Sequence, residues 1–189
     1  MKWLYIGAGI ILTTAAIVGV ATAIRRRCST EDTDAVDGGV VKRYYEDMPK
    51  HIESENITEF HCTTSLISSV ETEGLGHRVY TLDASVKDGE VFVKYAWRDR
   101  GKGDRGEYTA DMSFMSRLQN IVKDYDLASN NGYVHTVSGL PEMYGDKLSV
   151  TYDSGECIYI HDNQSGFISL SAQKELVTLF GAATKLSDE

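Results

Sequence analysis

An uncharged segment of 22 residues, from Trp3 to Ile24, limits the architecture of this chain more than any other feature of its sequence. As an α-helix it would be roughly 33 Å long, which is enough to cross a bilayer core of about 30 Å. Three arginines at positions 25–27 end the segment abruptly. The sequence therefore predicts a single-pass membrane protein, in which residues 1–28 form a transmembrane anchor with a basic collar.

The flanking charges predict the orientation of this anchor. Positive residues favour the cytoplasmic side, and three arginines follow the segment whereas Lys2 alone precedes it, so we expect the rest of the chain in the cytoplasm. An extracytoplasmic domain is the alternative. A cleaved signal peptide is a rival interpretation, but its apolar core would be much shorter. Small residues spaced by four line one side of the predicted helix and favour a helix-mediated dimer, namely Ala15, Gly19 and Ala23.

The net charge of the chain argues against nucleic acid as a partner. It is −9 overall, and removing Lys2 and the three arginines from the 19 basic residues leaves 15 against 28 acidic residues, or −13. Phosphates would repel such a domain. The three cysteines form no CxxC pair, and the five histidines are scattered, so we predict no metal site and no cofactor. A Cys62–Cys157 disulfide and two reduced thiols both remain open.

Beyond the anchor, composition divides the chain into three parts. Residues 29–55 read as an acidic spacer and a lead-in segment with weak helical character, residues 56–183 as one folded domain, and residues 184–189 as a polar tail. Within the domain, Asp88-Gly89 joins two alternating segments and predicts a tight hairpin. We predict strands at 57–65, 78–87, 90–98 and 107–112, a hairpin spanning 148–160, helices at 113–128 and 171–180, and loops at 99–106 and 134–143. The predicted fold class is α+β: a single N-terminal transmembrane helix followed by a mainly antiparallel sheet with two helices packed on one face.

Two stretches of the domain resemble an uncharacterised family of small bacterial proteins. One stretch is Tyr152-Asp153-Ser154-Gly155-Glu156, which continues through Ile158-Tyr159 to Asn163; the other joins Asp126-Leu127-Ala128 to Asn131-Gly132-Tyr133. Members are membrane-anchored or envelope-associated α+β domains without an assigned activity. The resemblance covers Val79 to Phe180 and departs after Asn163, where the family carries a proline-containing loop and this chain has Gln164-Ser165-Gly166-Phe167. It implies a location and a fold, and no catalytic residue.

Two polar clusters are the candidate ligand- or partner-binding residues. The first is a basic, glycine-rich loop, because arginines and flexible backbone amides bind anions. The second follows a strand end, where binding loops often lie. The candidates are Arg98, Arg100, Lys102 and Arg105 in the first cluster, and His161 and Asp162 in the second.

The absence of a catalytic signature in the sequence favours a membrane-tethered, non-enzymatic interaction module with an unknown protein partner. The first alternative is a hydrolase-like enzyme whose site joins His161 and Asp162 to the basic loop 98–106. The second alternative is an accessory subunit of a membrane complex that pairs through its transmembrane helix.

Overall fold

Alternating apolar and polar residues in the longest strands produce a sheet with two unlike faces. The computed structural model describes residues 39–66, 78–99, 101–138 and 145–182. Its strands are β1 (Val40–Tyr44), β2 (Ile57–Leu66), β3 (Arg78–Lys87), β4 (Glu90–Asp99), β5 (Lys102–Ala110), β6 (Tyr133–Val137), β7 (Asp146–Tyr152) and β8 (Cys157–Asp162). Its helices are α1 (Met112–Asp124) and α2 (Leu170–Leu179).

All eight strands belong to one sheet in the order β1-β6-β8-β7-β2-β3-β4-β5. Neighbours are antiparallel except β6 and β8, which pair in parallel through Val134–His161 and His135–Asp162. The predicted fold class is therefore wrong, because the sheet is mixed and larger than predicted. The parallel pair was not apparent from the sequence, because β7 lies between β6 and β8 in the chain.

The predicted transmembrane helix falls on residues outside the described part of the chain, as do Ala15, Gly19 and Ala23. Within the described part, neither helix has the length and apolar character needed to span a bilayer.

The apolar residues of the central strands point to one face of the sheet, and both helices pack there. We call this the covered face; its fully buried residues include Cys62, Leu82, Val91, Val93, Leu148, Val150, Ile158 and Ile160. Phe180 after α2 contacts Phe60 of β2 at 5.8 Å and Phe114 of α1 at 5.1 Å between ring centroids. This aromatic cluster fixes the two helices against β2.

Each helix begins at a residue whose side chain accepts a backbone hydrogen bond. Asp111 accepts from the amide of Ser113 before α1, and Ser169 accepts from the amide of Ala172 before α2. Ser169 is thus the N-cap of the second helix, which begins at Leu170, one residue before the predicted start. Helix α1 ends at Asp124, which is earlier than predicted.

Two strands lie where the sequence did not predict them, and a third begins earlier than predicted. β1 lies in the lead-in segment, β6 takes residues 134–137 of the predicted loop 134–143, and β5 begins at Lys102, five residues before the strand predicted at 107–112. The hairpin of β3 and β4 is confirmed, with positive φ angles at Asp88 and Gly89 in its turn. Local alternation was therefore sufficient for a hairpin but not for strands that pair over a distance.

Cys62 is a free thiol within the core of the sheet and does not pair with Cys157. Strand β7 lies between β2, which carries Cys62, and β8, which carries Cys157. Burial raises the pKa of the Cys62 thiol well above its usual value, and nearby Asp146 adds to that effect. The thiol therefore stays protonated and behaves as a small apolar core residue.

Candidate functional site

The predicted basic loop is a hairpin rather than a loop. Arg98 lies near the end of β4, Gly101 forms the turn with φ of 87°, and Lys102 and Arg105 belong to β5. Arg100 lies outside the described residues. The glycines that suggested a mobile loop instead permit a tight turn and a close approach between strands.

The second predicted cluster lies far from this hairpin. His161 and Asp162 end β8, and four strands separate β8 from β5 in the sheet. With a strand spacing of about 4.8 Å, the two clusters are about 24 Å apart across the sheet. They do not line a common pocket, so the arrangement that the hydrolase alternative requires is not formed.

Asp162 is occupied by the turn that follows β8. One carboxylate oxygen accepts the amides of Gln164 at 2.8 Å and Ser165 at 2.9 Å, and the other lies 3.3 Å from Nδ1 of His135. The residue is buried. These contacts hold the loop against the sheet.

The sequence analysis missed a row of ionisable side chains on the face opposite the helices. His61 is paired in register with Asp83, Asp83 with Lys94, and Lys94 with Glu107, so the four residues cross β2, β3, β4 and β5 in a line. Nδ1 of His61 lies 2.7 Å from Oδ1 of Asp83, and Nζ of Lys94 lies 3.5 Å from Oε2 of Glu107. We call these four residues the charge row.

The charge row is exposed to solvent along its length. The exposed fraction of the side chain increases outward, from 36% for His61 and 46% for Asp83 to 65% for Lys94 and 77% for Glu107. No helix of the described residues packs on this part of the sheet. We call it the open face; its residues are Ser149 and Thr151 of β7, Glu59 and His61 of β2, Asp83 and Ser85 of β3, Phe92 and Lys94 of β4, and Arg105 and Glu107 of β5.

An exposed aromatic side chain lies beside the charge row. Phe92 is 38% exposed and is two residues from Lys94 on the same face of β4. Nζ of Lys87 lies 5.8 Å from the centre of its ring. Shallow depressions flank Phe92 and Lys94, and both include Asp83. The open face thus combines an apolar side chain with charges of both signs.

The open face resembles a hydrolytic site only in composition. Ser149 lies opposite His61 in the register, which puts Ser, His and Asp on three adjacent strands. Nε2 of His61, however, lies 3.5 Å from Oγ1 of Thr63. In the interior of a sheet, backbone amides are already bonded to neighbouring strands and cannot form an oxyanion hole. This geometry supports binding better than catalysis.

A further depression, away from the open face, lies between α1 and the lead-in segment. It has a volume of about 340 Å³, and Tyr152, Gln119 and Lys123 are among its lining residues. The hydroxyl of Tyr152 and Oε1 of Gln119 are buried without a hydrogen-bond partner. Burial raises the pKa of the Tyr152 hydroxyl. Nothing in these contacts selects a ligand class, so the open face is the stronger candidate.

No metal centre accompanies either region: the described residues contain no cluster of three or more histidine, cysteine or acidic side chains that would hold an ion. Comparison with protein-family models, with curated proteins and with solved structures returned no match. The resemblance to small bacterial membrane-anchored domains therefore stays a prediction, and the geometry of the open face alone supports a function.

Proposed function

We propose that this domain is a non-enzymatic protein-binding module whose binding surface is the open face of the sheet. The observation that carries the proposal is the charge row, four in-register side chains from four different strands on a face without a helix. Membrane tethering through residues 3–24 stays a separate prediction.

The composition of the open face is suited to a protein partner. Interfaces combine aromatic and arginine side chains with a polar rim, and here Phe92 lies two residues from Lys94 on β4, with Glu107 and Arg105 further along the same face. Alternating positive and negative charges do not match a nucleic acid, whose backbone is uniformly negative. The side chains are also too exposed to enclose a small molecule, because small-molecule sites bury most of the ligand surface.

The rigidity of the sheet also favours binding. The strands that carry His61, Asp83 and Lys94 each pair with two neighbouring strands, and the strand that carries Glu107 pairs with one. The spacing of the charge row is therefore fixed before a partner binds. Such preorganisation lowers the entropy cost of association. The row therefore presents a fixed charge pattern that a partner with the complementary pattern can recognise.

Site-specific photocrosslinking in cells would test this proposal. A photoreactive amino acid is placed at Phe92 or Ser85 on the open face, and at Asn120 of α1 or Ser171 of α2 as matched positions on the helix side. We expect one adduct of the same mass from both open-face positions and none from the helices. The charge-reversed variants Asp83→Lys and Lys94→Glu should abolish it.

Two results would contradict the proposal. One is equal crosslinking from Asn120 and Ser171, which would place binding on the helices or indicate random collision. The other is an adduct that persists in both charge-reversed variants, which would show that the charge row does not contribute. Far-ultraviolet circular dichroism of each variant checks that the sheet is retained.

A further inference from the structure

The outer edge of β5 is a second feature of the sheet that invites an interaction. Strand β5 pairs with β4 on one side, and no strand of the described residues pairs with it on the other. Six of its nine residues are exposed, and the other three are half-buried. The unpaired N–H and C=O groups of such an edge form a template for another strand.

Proteins often protect an edge by placing charges on it, and β5 does carry charges of both signs. Protection requires that an incoming strand meet like charge or lose solvation. A strand with the complementary order of charges meets neither obstacle. The order of charges along β5 therefore determines which strand can add to it.

A second copy of β5 provides that complementary order in two registers, centred on Gly103 or on Gly106, but only the register centred on Gly106 pairs the strand over its full length. A two-fold axis perpendicular to the sheet keeps each face on the same side, so the strands pair antiparallel about a single residue. Centring the pair on Gly106 places Arg105 opposite Glu107 of the other copy, twice by symmetry. Centring it on Arg105 or on Glu107 places two like charges opposite each other. Centring it on Asp104 likewise places two negative charges opposite each other.

Gly106 itself is constrained by its own subunit. A Cβ atom at this position would lie 2.6 Å from ring atoms of Tyr95, which covers the glycine on the helix side of the sheet. The ring of Tyr95 therefore occupies the space that a side chain at the proposed axis would fill.

We propose that this chain forms a symmetric homodimer by antiparallel pairing of β5 about Gly106, which joins two sheets into one continuous sheet. In the dimer, Glu107 lies between Lys94 of its own subunit, 3.5 Å away, and Arg105 of the other copy. The open faces of the two copies become contiguous, and the charge row continues across the axis. The proposal goes beyond the binding function, because it concerns an edge rather than a face.

Charge reversal on β5 would test the dimer with the full chain, purified in mild detergent because residues 3–24 are apolar. Two differently tagged copies are mixed, and the fraction that co-purifies is measured. Arg105→Glu puts two repulsive pairs in the homodimer, as does Glu107→Arg. Each should weaken self-association by about tenfold or more. Mixing the two variants makes both pairs attractive again and should restore co-purification.

Two control variants separate this edge from other contacts. Lys102→Glu makes the same charge change on the same strand as Arg105→Glu but faces Ala110 in the proposed register, so it should leave the dimer intact. Gly19→Ile disrupts the small-residue ridge of the N-terminal segment and should also leave it intact. The urea midpoint of each variant shows whether the domain still folds.

The proposal is overturned if the wild-type copies do not associate, or if both single reversals associate as the wild type does. It is also overturned if the mixture of reversed variants fails to recover although both are folded. Crosslinking from Phe92 to a different protein is unaffected by these outcomes. Failure of the dimer and failure of the binding module are therefore distinguishable.

Discussion

The two faces of the sheet are built from the same strands but obey different constraints. On β3, Leu82 is completely buried under the helices, whereas the next residue, Asp83, has a side chain that is 46% exposed on the open face. The covered face supplies the burial that stabilises the fold, and the open face supplies fixed charges at little cost in stability. The open face is thus free to carry a function, since its side chains are not needed for packing.

The sharpest test of this difference compares neighbouring residues on one strand. Leu82→Ala should lower the free energy of unfolding by about 3 kcal/mol, because it leaves a cavity in the core. Asp83→Ala should change it by no more than about 0.5 kcal/mol, because its contact with His61 is half exposed. Urea denaturation of both variants measures the two values, and similar losses would refute the division between faces.

Asp146 is a polar exception on the covered face and should have the next largest effect. Its carboxylate accepts a hydrogen bond from the Thr64 hydroxyl at 2.5 Å and hydrogen bonds from the amides of Phe167 and Ile168 at 2.8 Å each. Asp146→Ala should cost about 2 kcal/mol, because these buried donors lose their acceptor. Urea denaturation measures the loss, and a change below about 0.5 kcal/mol would show that Asp146 is dispensable.

The pH dependence of the same site has a definite sign. Burial raises the pKa of Asp146, although hydrogen bonds from the Thr64 hydroxyl and from three backbone amides oppose the shift. The folded state therefore holds this proton more tightly than the unfolded state. Its contribution to stability is fully present below the unfolded pKa and is lost as the pH rises through the folded pKa. The difference in stability between wild type and Asp146→Asn should fall over that pH range.

Two carboxylates outside the covered face should respond in the opposite direction. Hydrogen bonds from Ser54 and Asn56 lower the pKa of Asp153. Burial opposes the shift at Glu156, but the amides of Glu53 and Ser54 outweigh it, so that pKa is also lowered. Their contribution is present above the unfolded pKa values and is lost as the pH falls through the folded values.

Hydrogen exchange can detect this loss locally. The amides of Glu53 and Ser54 lie 3.0 and 2.9 Å from the carboxylate oxygens of Glu156. They should lose protection in acid before the amides of the central strands do. In Glu156→Gln their protection should be weak at neutral pH already. Uniform loss of protection across the sheet in acid would contradict this local account.

The smallest expected effect is that of Tyr152→Phe on the covered face. The Tyr152 hydroxyl is buried without a hydrogen-bond partner, so removing it deletes an unsatisfied group while the ring remains. The free energy of unfolding should stay unchanged or increase by up to about 1 kcal/mol. A decrease of more than about 1 kcal/mol in thermal or urea unfolding would reveal a hydrogen bond, with Gln119 as its candidate partner.

Prediction from sequence succeeded where the signal was local. Alternation over Arg78–Lys87 and Glu90–Arg98, joined by Asp88-Gly89, corresponds to β3 and β4 within one residue. The apolar spacing of residues 113–128 located α1, although its end was placed too late. These elements are encoded by neighbouring residues, so the chain need not be folded for them to be recognised.

Prediction failed where strand propensity was low or the pairing partner was distant. The charged, glycine-rich sequence of β5 has low strand propensity, yet it forms a strand because β4 offers it an edge. The short β6 pairs with β8 in parallel only because the rest of the sheet brings them together. The mixed sheet was missed for this reason.

The candidate sites show the same division. His161 and Asp162 were selected because they are adjacent in sequence, and the structure uses Asp162 to hold a turn. The charge row, in contrast, is dispersed over 47 positions of the sequence, from His61 to Glu107. Alternation in β2, β3 and β4 indicated that these side chains share a face, but register alone aligns them.

By itself, the sequence determined the apolar N-terminal segment, the acidic charge of the rest, the β3–β4 hairpin and the apolar surface of α1, because each depends on residues close together in the chain. Only the tertiary structure decided the order of the eight strands, the parallel β6–β8 pair and the charge row. Strand order and register are set by long-range hydrogen bonds and by burial of one face. A shift of one residue in any strand would turn its charged side chains toward the core.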